Sequence, residues 1–349
     1  MVTYILQKIG YAFLTLFGVV TVVFFLFTIL PGDPARMMLD QREDSEQMQR
    51  IKEKYGFDKP ISTQYLNYLN DLSPVSYHMD VSSYSVIIEQ KLGNGFLVLK
   101  YPYLRTSFQK GDKKVSEIIG ETLPNTAILA CSAIGISLLL GLFLGAISAL
   151  YANSWVDRLI AVISTVGLSL PSFFTAIIFA WVFGFLLKQY TGLSMSGNLY
   201  EIDDFGEGRH LVLRNLILPA IVLGIRPLGV VIQLMRSSLL EVLSQDYIRT
   251  ARAKGLSSFK VVFFHAFRNA LNPVITAISG WFASMLAGAV FVEYIFNWNG
   301  IGKEIVAALN TLDLPVIMGS VLCISSIFIF LNVLVDLGYA WLDPRVKLS

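Results

Sequence analysis

The chain has 349 residues, of which 54% are hydrophobic and only 15% are charged, and its formal net charge is +2. Soluble domains carry about 25% charged residues, because a folded soluble chain must cover its apolar core with polar surface. The composition therefore argues against a soluble enzyme, a disordered regulator and a nucleic-acid-binding protein, and it predicts a polytopic membrane protein.

Six apolar segments are long enough to cross a bilayer, which requires about 20 residues. The first, Ile9 to Leu30, contains no charge and ends at Pro31-Gly32-Asp33-Pro34. It is too long for the apolar core of a signal peptide, and no small-x-small cleavage site follows, which predicts a retained helix. The other five spans are expected at about 125–153, 159–187, 211–235, 273–292 and 316–342.

The distribution of Lys and Arg among the connecting segments predicts the orientation. Six of these residues lie between the fourth and fifth spans, and Arg345 and Lys347 lie in the C-terminal tail. Both termini are therefore expected on the cytoplasmic side of the membrane, which in a bacterium would be the inner membrane. Residues 32–123 then form an extracytoplasmic insertion, in which 82–103 are rich in Tyr, Val and Ile and have the composition of strands.

Within the second span, Gly141 and Gly145 stand four residues apart with Ala146 beside them. Small residues at this spacing allow two helices to pack closely. We therefore predict a structural role for both glycines rather than a place in a pore.

Between the fourth and fifth spans, residues 237–272 have the character of two helices rather than of a loop. Apolar residues recur at a spacing of three and four as far as Ala251, Gly255 is suited to end a helix, and the serines that follow can begin another. The small residues Ala251, Ala253 and Gly255 are expected to let another surface approach closely. Periodicity alone leaves two interpretations open, a docking element for another protein and an interfacial helix held by anionic lipid.

This two-helix segment, residues 237–272, forms an elbow. Part of the elbow resembles the coupling-helix signature of ABC importer permeases, in the form found in the oligopeptide, dipeptide and nickel group. The general signature begins Glu-Ala-Ala, and Arg249 and Thr250 occupy its first two positions here, a departure that the peptide subgroup shares. The resembling residues are Asp246, Tyr247, Ile248, Arg249, Thr250, Ala251, Arg252, Ala253, Lys254, Gly255 and Leu256.

Further stretches match the same group in order along nearly the whole chain, except for about residues 73–113. They are Leu30–Pro34, Tyr55–Pro60, Ser169–Phe173, His265–Pro273, Val292–Phe296, Gly300–Gly302 and Leu342–Arg345. The resemblance implies an all-α polytopic membrane protein with six transmembrane helices. It divides the chain into an N-terminal transmembrane helix (1–31), the extracytoplasmic insertion (32–123) and a permease core (124–349), whose cytoplasmic coupling helix lies in the elbow at 237–272.

The resemblance also implies a function and a set of partners. The chain would be a non-catalytic permease subunit of an ATP-driven importer, most simply for peptides, with nickel complexes or glycosides as alternative substrates. Its partners would be a second permease subunit that is a different chain, two ATPase subunits and an extracytoplasmic solute-binding protein. The ATPases would bind ATP and Mg²⁺, so the chain would hold no cofactor, and the eleven elbow residues would contact an ATPase.

Arg226 lies in the middle of the fourth predicted span, immediately before Pro227. A charge at that depth usually faces a cavity or a partner. It could line the translocation path and attract a peptide carboxylate, or it could make an ion pair or carbonyl contact at a subunit interface.

Two further local patterns do not predict a phosphate site or a metal site. Residues 300–304 lack the spacing of a phosphate-binding loop and predict a tight turn instead. The three histidines have no neighbours at metal-ligand spacing, so no metal site is expected.

Two other functional classes remain as alternatives. An ion-coupled secondary transporter would favour inverted repeats and several acids near the membrane midplane. This chain has no evident repeat, and its one mid-span charge is basic. A membrane scaffold that transports nothing is the third interpretation, and binding of an ATPase at the elbow would separate the first from both.

Overall fold

A computed structural model describes residues 2–29, 35, 45–202 and 208–342. The motif at Leu30–Pro34, the end of the closing motif and both chain termini lie outside the described residues. The chain divides into two compact units, one formed by Met1–Leu123 and Glu304–Ile329 and the other by Pro124–Lys303 and Phe330–Ser349.

Helices account for most of the described chain. They are α1 (Val2–Ile29), α2 (Ser45–Tyr55), α3 (Ile61–Leu72), α4 (Val115–Leu150), α5 (Trp155–Ser169), α6 (Ser172–Trp181), α7 (Lys188–Thr191), α8 (Arg214–Leu243), α9 (Asp246–Ala253), α10 (Ser258–Lys260), α11 (Phe267–Gly288), α12 (Val290–Ile295), α13 (Ile301–Asn310) and α14 (Leu314–Leu342). Two π-helical turns, at Val182–Leu186 and Val261–Ala266, follow α6 and α10 directly. The strands are β1 (Val75–His78), β2 (Val86–Leu92), β3 (Gly95–Lys100), β4 (Tyr200–Ile202) and β5 (Arg209–Leu211).

The first unit contains an antiparallel sheet with the strand order β1-β3-β2. Strands β2 and β3 lie within residues 82–103 and confirm the strand composition noted there. The chain is mostly helical but not all-α, because it contains this sheet and the antiparallel pair β4–β5 in the second unit. Strand β1 buries Ser76 and His78 and exposes Val75 and Tyr77. Its apolar residues thus point away from the packed side, which is the reverse of the usual pattern. For this reason the alternation of polar and apolar residues in β1 does not predict which side of the strand is buried.

An aromatic cluster holds the helices of the first unit together. Phe24 of α1 stacks on Tyr68 of α3 with ring centroids 5.5 Å apart, and both residues belong to an apolar cluster with Met318 and Leu322 of α14. Stacked aromatic pairs contribute about 0.5–1.5 kcal/mol beyond the area that they bury. The first predicted span is thus packed against the first helices of the insertion.

The long helix α8 is the centre of the second unit and packs on α4, α5 and α11. A Cβ atom added at Gly141 of α4 would lie 2.6 Å from Val231, and one added at Gly145 would lie 2.7 Å from Met235. These distances are shorter than van der Waals contact, so the two helices approach as closely as they do because both positions are glycine. The close helix packing predicted for these two residues is therefore confirmed.

The predicted span at 159–187 is not one straight helix. Helices α5 and the pair formed by α6 and its π-helical turn meet at an angle of 110° at the break between Ser169 and Ser172. Leu170 there has an extended backbone, with φ −76° and ψ 134°. Pro171 explains the break, because proline lacks the N–H that continues a helix and disfavours helical geometry in the residue before it.

Five helical segments are long and apolar enough to cross a membrane, and the number becomes six if the bent pair is one span. Their ends differ from the expected ones. Helix α8 continues to Leu243, beyond the expected end at about 235, and the segment Ser258–Leu286 is one candidate span in place of 273–292. Charges and Pro273 suggested the earlier boundaries, whereas packing against neighbouring helices carries the helices through them.

Candidate functional site

The short helix α9 is amphipathic, and its apolar side is buried. Ile248 is 0% exposed and Ala251 is 7% exposed. Both belong to an apolar cluster that also contains Met235 and Leu239 of α8 and Val274 of α11. Because both long helices contribute to this cluster, α9 is attached to them as a packed element rather than as a loose loop.

Gly255 lies just after the C-terminal end of α9 and terminates the helix. Its φ is +77°, in the left-handed region that glycine adopts without steric cost. The Gly255 N–H donates to the carbonyl of Arg252 at 2.9 Å, and the Leu256 N–H donates to the carbonyl of Ala251 at 3.4 Å. These two bonds form a Schellman motif. No described atom lies within 4 Å of a Cβ built at Gly255, so the backbone conformation is what requires glycine.

The opposite side of α9 is exposed and mostly polar. The exposed side chains on α9 and its final turn are Asp246, Tyr247, Arg249, Thr250, Arg252, Ala253 and Lys254. Arg249 contacts Asp246 at 3.5 Å, but both side chains are exposed and such a pair contributes little to stability. The Tyr247 hydroxyl accepts a hydrogen bond of 2.8 Å from Asn269 of α11. The exposed side of α9 is therefore basic, and its buried side is packed against α8 and α11.

The eleven residues singled out from the sequence therefore separate into two groups. Ile248 and Ala251 face the core of the chain, and Leu256 packs partly buried against the same cluster. The expectation that Ala251 lets another surface approach is wrong, because its methyl group is packed inside the chain. Gly255 and the seven exposed residues remain available to a partner.

Arg226 is exposed in the middle of α8, between the half-buried Ile225 and the buried Pro227. Within the described residues its guanidinium makes no hydrogen bond and no ion pair. Gln233 and Ser237 are also exposed, and their spacing of seven and four residues places all three on one side of the helix. A helix of membrane-spanning length thus carries a polar line on an uncovered side.

Glu293 of α12 is a buried acid for which the sequence alone predicted no role. Its side chain is 0% exposed, and its carboxylate accepts hydrogen bonds from the Thr126 hydroxyl at 2.6 Å and from the N–H groups of Gly302 and Lys303 at 2.7 and 3.2 Å. Burial raises the pKa of Glu293 to about 7, although these hydrogen bonds act in the opposite direction.

The carboxylate of Glu293 caps the start of α13. The first N–H groups of a helix have no partner within the helix and attract negative charge. Residues from Ile301 onward are helical, so the tight turn expected at 300–304 is wrong. One signal could have pointed to this acid: residues 247–292 contain no Asp or Glu, and Glu293 ends that stretch seven residues before Gly300.

An ion pair between α5 and α8 also escaped the sequence analysis. Arg236 donates from Nε and Nη2 to the two carboxylate oxygens of Asp157 at 2.7 and 2.8 Å. Asp157 further accepts from the Ser148 hydroxyl at 2.5 Å and from the Asn153 N–H at 2.8 Å. This pairing explains why α8 continues past a charged residue that seemed to mark its end.

Within the described residues, no group of three or more His, Cys, Asp or Glu side chains is arranged to hold a metal ion. The exposed side of α9 presents a basic surface with hydrogen-bonding side chains.

The chain is similar in sequence to known membrane transport proteins. Residues 141–348 match the family model described as the binding-protein-dependent transport system inner membrane component, and residues 1–130 match the model for the N-terminal part of such components. A putative peptide permease protein of Brucella suis is 34% identical over 100% of both chains.

Two further relatives are similar over nearly their whole length. A di/tripeptide transport system permease protein of Pseudomonas aeruginosa is 34% identical and covers 99% of both chains. A probable D,D-dipeptide transport system permease protein of Escherichia coli is 33% identical over 94% of this chain and 93% of its own. A solved amino acid ABC transporter covers 64% of this chain and 92% of its own at 15% identity and a TM-score of 0.45, a likeness too weak to support a conclusion.

Proposed function

The chain belongs to the family of binding-protein-dependent transport system inner membrane components, and from that premise we propose that it is the permease subunit of an ATP-driven peptide importer. It is a multi-pass membrane component of a transport system and not an enzyme. Peptides as the substrate class are supported by the relatives from Brucella suis, Pseudomonas aeruginosa and Escherichia coli, whose names all specify peptide or dipeptide permeases.

In this proposal the chain forms half of a translocation pathway, and a second, different permease subunit forms the other half. Two ATPase subunits bind ATP and Mg²⁺, so this chain needs no cofactor of its own. A solute-binding protein delivers peptide on the outer side. The distribution of Lys and Arg supports cytoplasmic termini, a cytoplasmic segment 237–272 and an extracytoplasmic insertion at 32–123.

The observation that carries ATPase coupling is the division of α9 into a buried side and an exposed basic side. Ile248 and Ala251 connect α9 to the cluster shared by α8 and α11, so a force on the exposed side is transmitted to both long helices. Closure of the ATPases on nucleotide binding would then move these helices between two states as packed bodies. Nucleotide and the loaded binding protein would each bias that equilibrium.

Reversal of one exposed charge tests the coupling surface. Arg252→Glu should reduce co-purification of the ATPase subunits with the chain by about tenfold, because it places a like charge where a cation is needed. ATP-dependent uptake of labelled peptide into vesicles should fall with it. Arg158→Glu is the matched control, since it reverses an exposed arginine of α5 that lies outside the elbow. Unchanged ATPase binding and uptake in Arg252→Glu would refute the proposed coupling surface.

For Arg226 we propose a place on the translocation path, where its charge attracts the carboxylate of a passing peptide. Its exposure in the middle of α8 and its lack of a partner within the described residues support this role. Arg226→Gln should slow the uptake of acidic peptides more than that of neutral ones while ATPase binding stays normal. Equal uptake of both peptide classes, or loss of the assembled transporter, would instead favour a contact at the subunit interface.

A further inference from the structure

The segment that follows Gly255 exposes aromatic rings where α9 exposes polar groups. Phe259, Phe263 and Phe264 are 65%, 54% and 71% exposed. The rings of Phe259 and Phe263 stack with centroids 4.7 Å apart, and those of Phe263 and Phe267 stack at 5.7 Å. Together these four residues form a phenylalanine ladder along one side of α10, the π-helical turn and the start of α11.

The ladder is held in place by the opposite side of the same segment. Val261, Val262 and Ala266 are buried, and Val261 and Ala266 belong to the apolar cluster that also fixes α9. The rings of Phe259, Phe263 and Phe264 therefore point outward because their neighbours in sequence are packed, and not because the segment is loose. Phe267, at the end of the ladder, packs partly buried against the same cluster. Several large apolar side chains side by side on a surface mark a contact with another protein or with a membrane.

The charges around the ladder identify the kind of contact. Residues 247–292 contain five Lys or Arg residues and no Asp or Glu. Lys260 and Arg268 lie within the segment itself, next to the ladder, and both are exposed. A helix that lies on a membrane surface buries residues such as Phe at the boundary between headgroups and acyl chains and carries Lys and Arg on its polar side. The cytoplasmic leaflet contains anionic lipids, which attract cations at its surface.

We propose that the phenylalanine ladder lies in the headgroup region of the cytoplasmic leaflet, with Lys260 and Arg268 bound to the phosphates of anionic phospholipids. The elbow at 237–272 then has two partners: α9 contacts protein and the ladder contacts lipid. The inference rests on the proposed function for one point, the cytoplasmic position of the elbow. The two interpretations that periodicity left open for this segment each apply to one half of it.

In this arrangement the π-helical turn at Val261–Ala266 is the place where α9 can move relative to α11. The turn lies between α9 and the main part of α11, within the lipid-bound segment. A single turn of π-helix inside a helix often occurs at a functional site. Lipid contacts would keep the base of α11 at the membrane surface while α9 follows its ATPase.

A fluorescent label at the ladder tests the lipid contact. Phe264→Cys is made in the full chain with Cys131→Ser and Cys323→Ser, labelled with bimane, and reconstituted with its transport partners in vesicles of phosphatidylcholine and phosphatidylglycerol. Spin labels on the lipid headgroups should quench the bimane, and labelled phosphatidylglycerol should quench it severalfold more than labelled phosphatidylcholine. Phe259→Cys is a second reporter if the first variant fails to fold.

Neutralising the cations tests the source of that preference. Lys260→Gln and Arg268→Gln should each reduce the preference for phosphatidylglycerol by up to about fivefold, since one cation near an anionic surface contributes that much. Lys188→Gln is the matched control, because it removes an exposed lysine of α7, outside the elbow, and should leave the preference unchanged.

Three results would overturn the inference: a label quenched by water-soluble quenchers but not by lipid, a label shielded only when the ATPases are added, or equal quenching by the two lipids. The second would assign the ladder to an ATPase contact. Unchanged ATPase binding in Arg252→Glu with lipid quenching intact would refute the coupling surface alone, so the two failures are distinguishable.

Discussion

Two buried carboxylates in the described part of the second unit are neutralised in different ways. Asp157 is 4% exposed and is paired through both oxygens with the guanidinium of Arg236. Glu293 is 0% exposed and, within the described residues, pairs with no Lys or Arg side chain. Its partners are the Thr126 hydroxyl and two backbone N–H groups at the start of α13.

The two carboxylates should therefore respond differently to mutation and to pH. A carboxylate held by a cation loses most when the cation is removed, because a buried charge is then left alone. A carboxylate held by dipoles can accept a proton without stranding an opposite charge nearby. Stability at Asp157 should therefore depend on its partner, and stability at Glu293 should depend on pH.

The largest effect is expected from Arg236→Met, which removes the cation and leaves Asp157 buried. It should lower the free energy of unfolding by about 3 kcal/mol, near the lower end for a broken buried pair because Arg236 is partly exposed. Thermal unfolding in detergent micelles measures the loss. The double variant Asp157→Asn/Arg236→Met should recover most of it, and a single variant as stable as the wild type would show that the pair is not structural.

The second effect is a pH dependence that belongs to Glu293. Its pKa in the folded chain is about 7, above the value of 4.5 for an unperturbed glutamate. The folded state therefore binds more protons than the unfolded state between these values, and the free energy of unfolding should fall as the pH rises through this window. The fall from pH 5 to pH 8 should be about 2–3 kcal/mol larger in the wild type than in Glu293→Gln, measured by chemical denaturation. Parallel pH profiles for the two proteins would contradict the assignment.

The smallest effect should come from Thr126→Val, which keeps the shape of the side chain but removes its hydroxyl. That hydroxyl donates to Glu293 and accepts from the Ile301 N–H at 2.9 Å. Losing both contacts should cost about 1–2 kcal/mol of unfolding free energy, because two buried groups lose a partner. Thr165→Val, an exposed threonine of α5, is the control and should change stability by less than about 0.5 kcal/mol.

Much of the fold was accessible from the sequence where the signal is local. The long apolar runs predicted membrane-length helices, the spacing of Gly141 and Gly145 predicted a close helix contact, and Gly255 was suited to end a helix. The strands of the insertion were harder to predict as a sheet, since β1 buries its polar residues. Hydropathy located the third span at 159–187 but did not predict the bend of 110° at Pro171.

At the candidate site, periodicity predicted the helix and not the side that it buries. Ala251 looked suitable for contact because it is small, yet it packs with residues of α8 and α11 that lie elsewhere in the sequence. The polar residues around it, Arg249 and Arg252 among them, are exposed as a docking surface requires. The role of Glu293 needed the start of α13 to be known first.

Sequence by itself determined the membrane class, the positions of most helices and the family, because hydropathy, helix-ending residues and motif spacing act over a few consecutive residues. Tertiary structure decided which charges are compensated and by what. Asp157 and Arg236 are 79 positions apart, and Thr126 and Glu293 are 167 apart. Whether a buried charge meets a cation or the end of a helix depends on the distances between such residues, which only the packed helices establish.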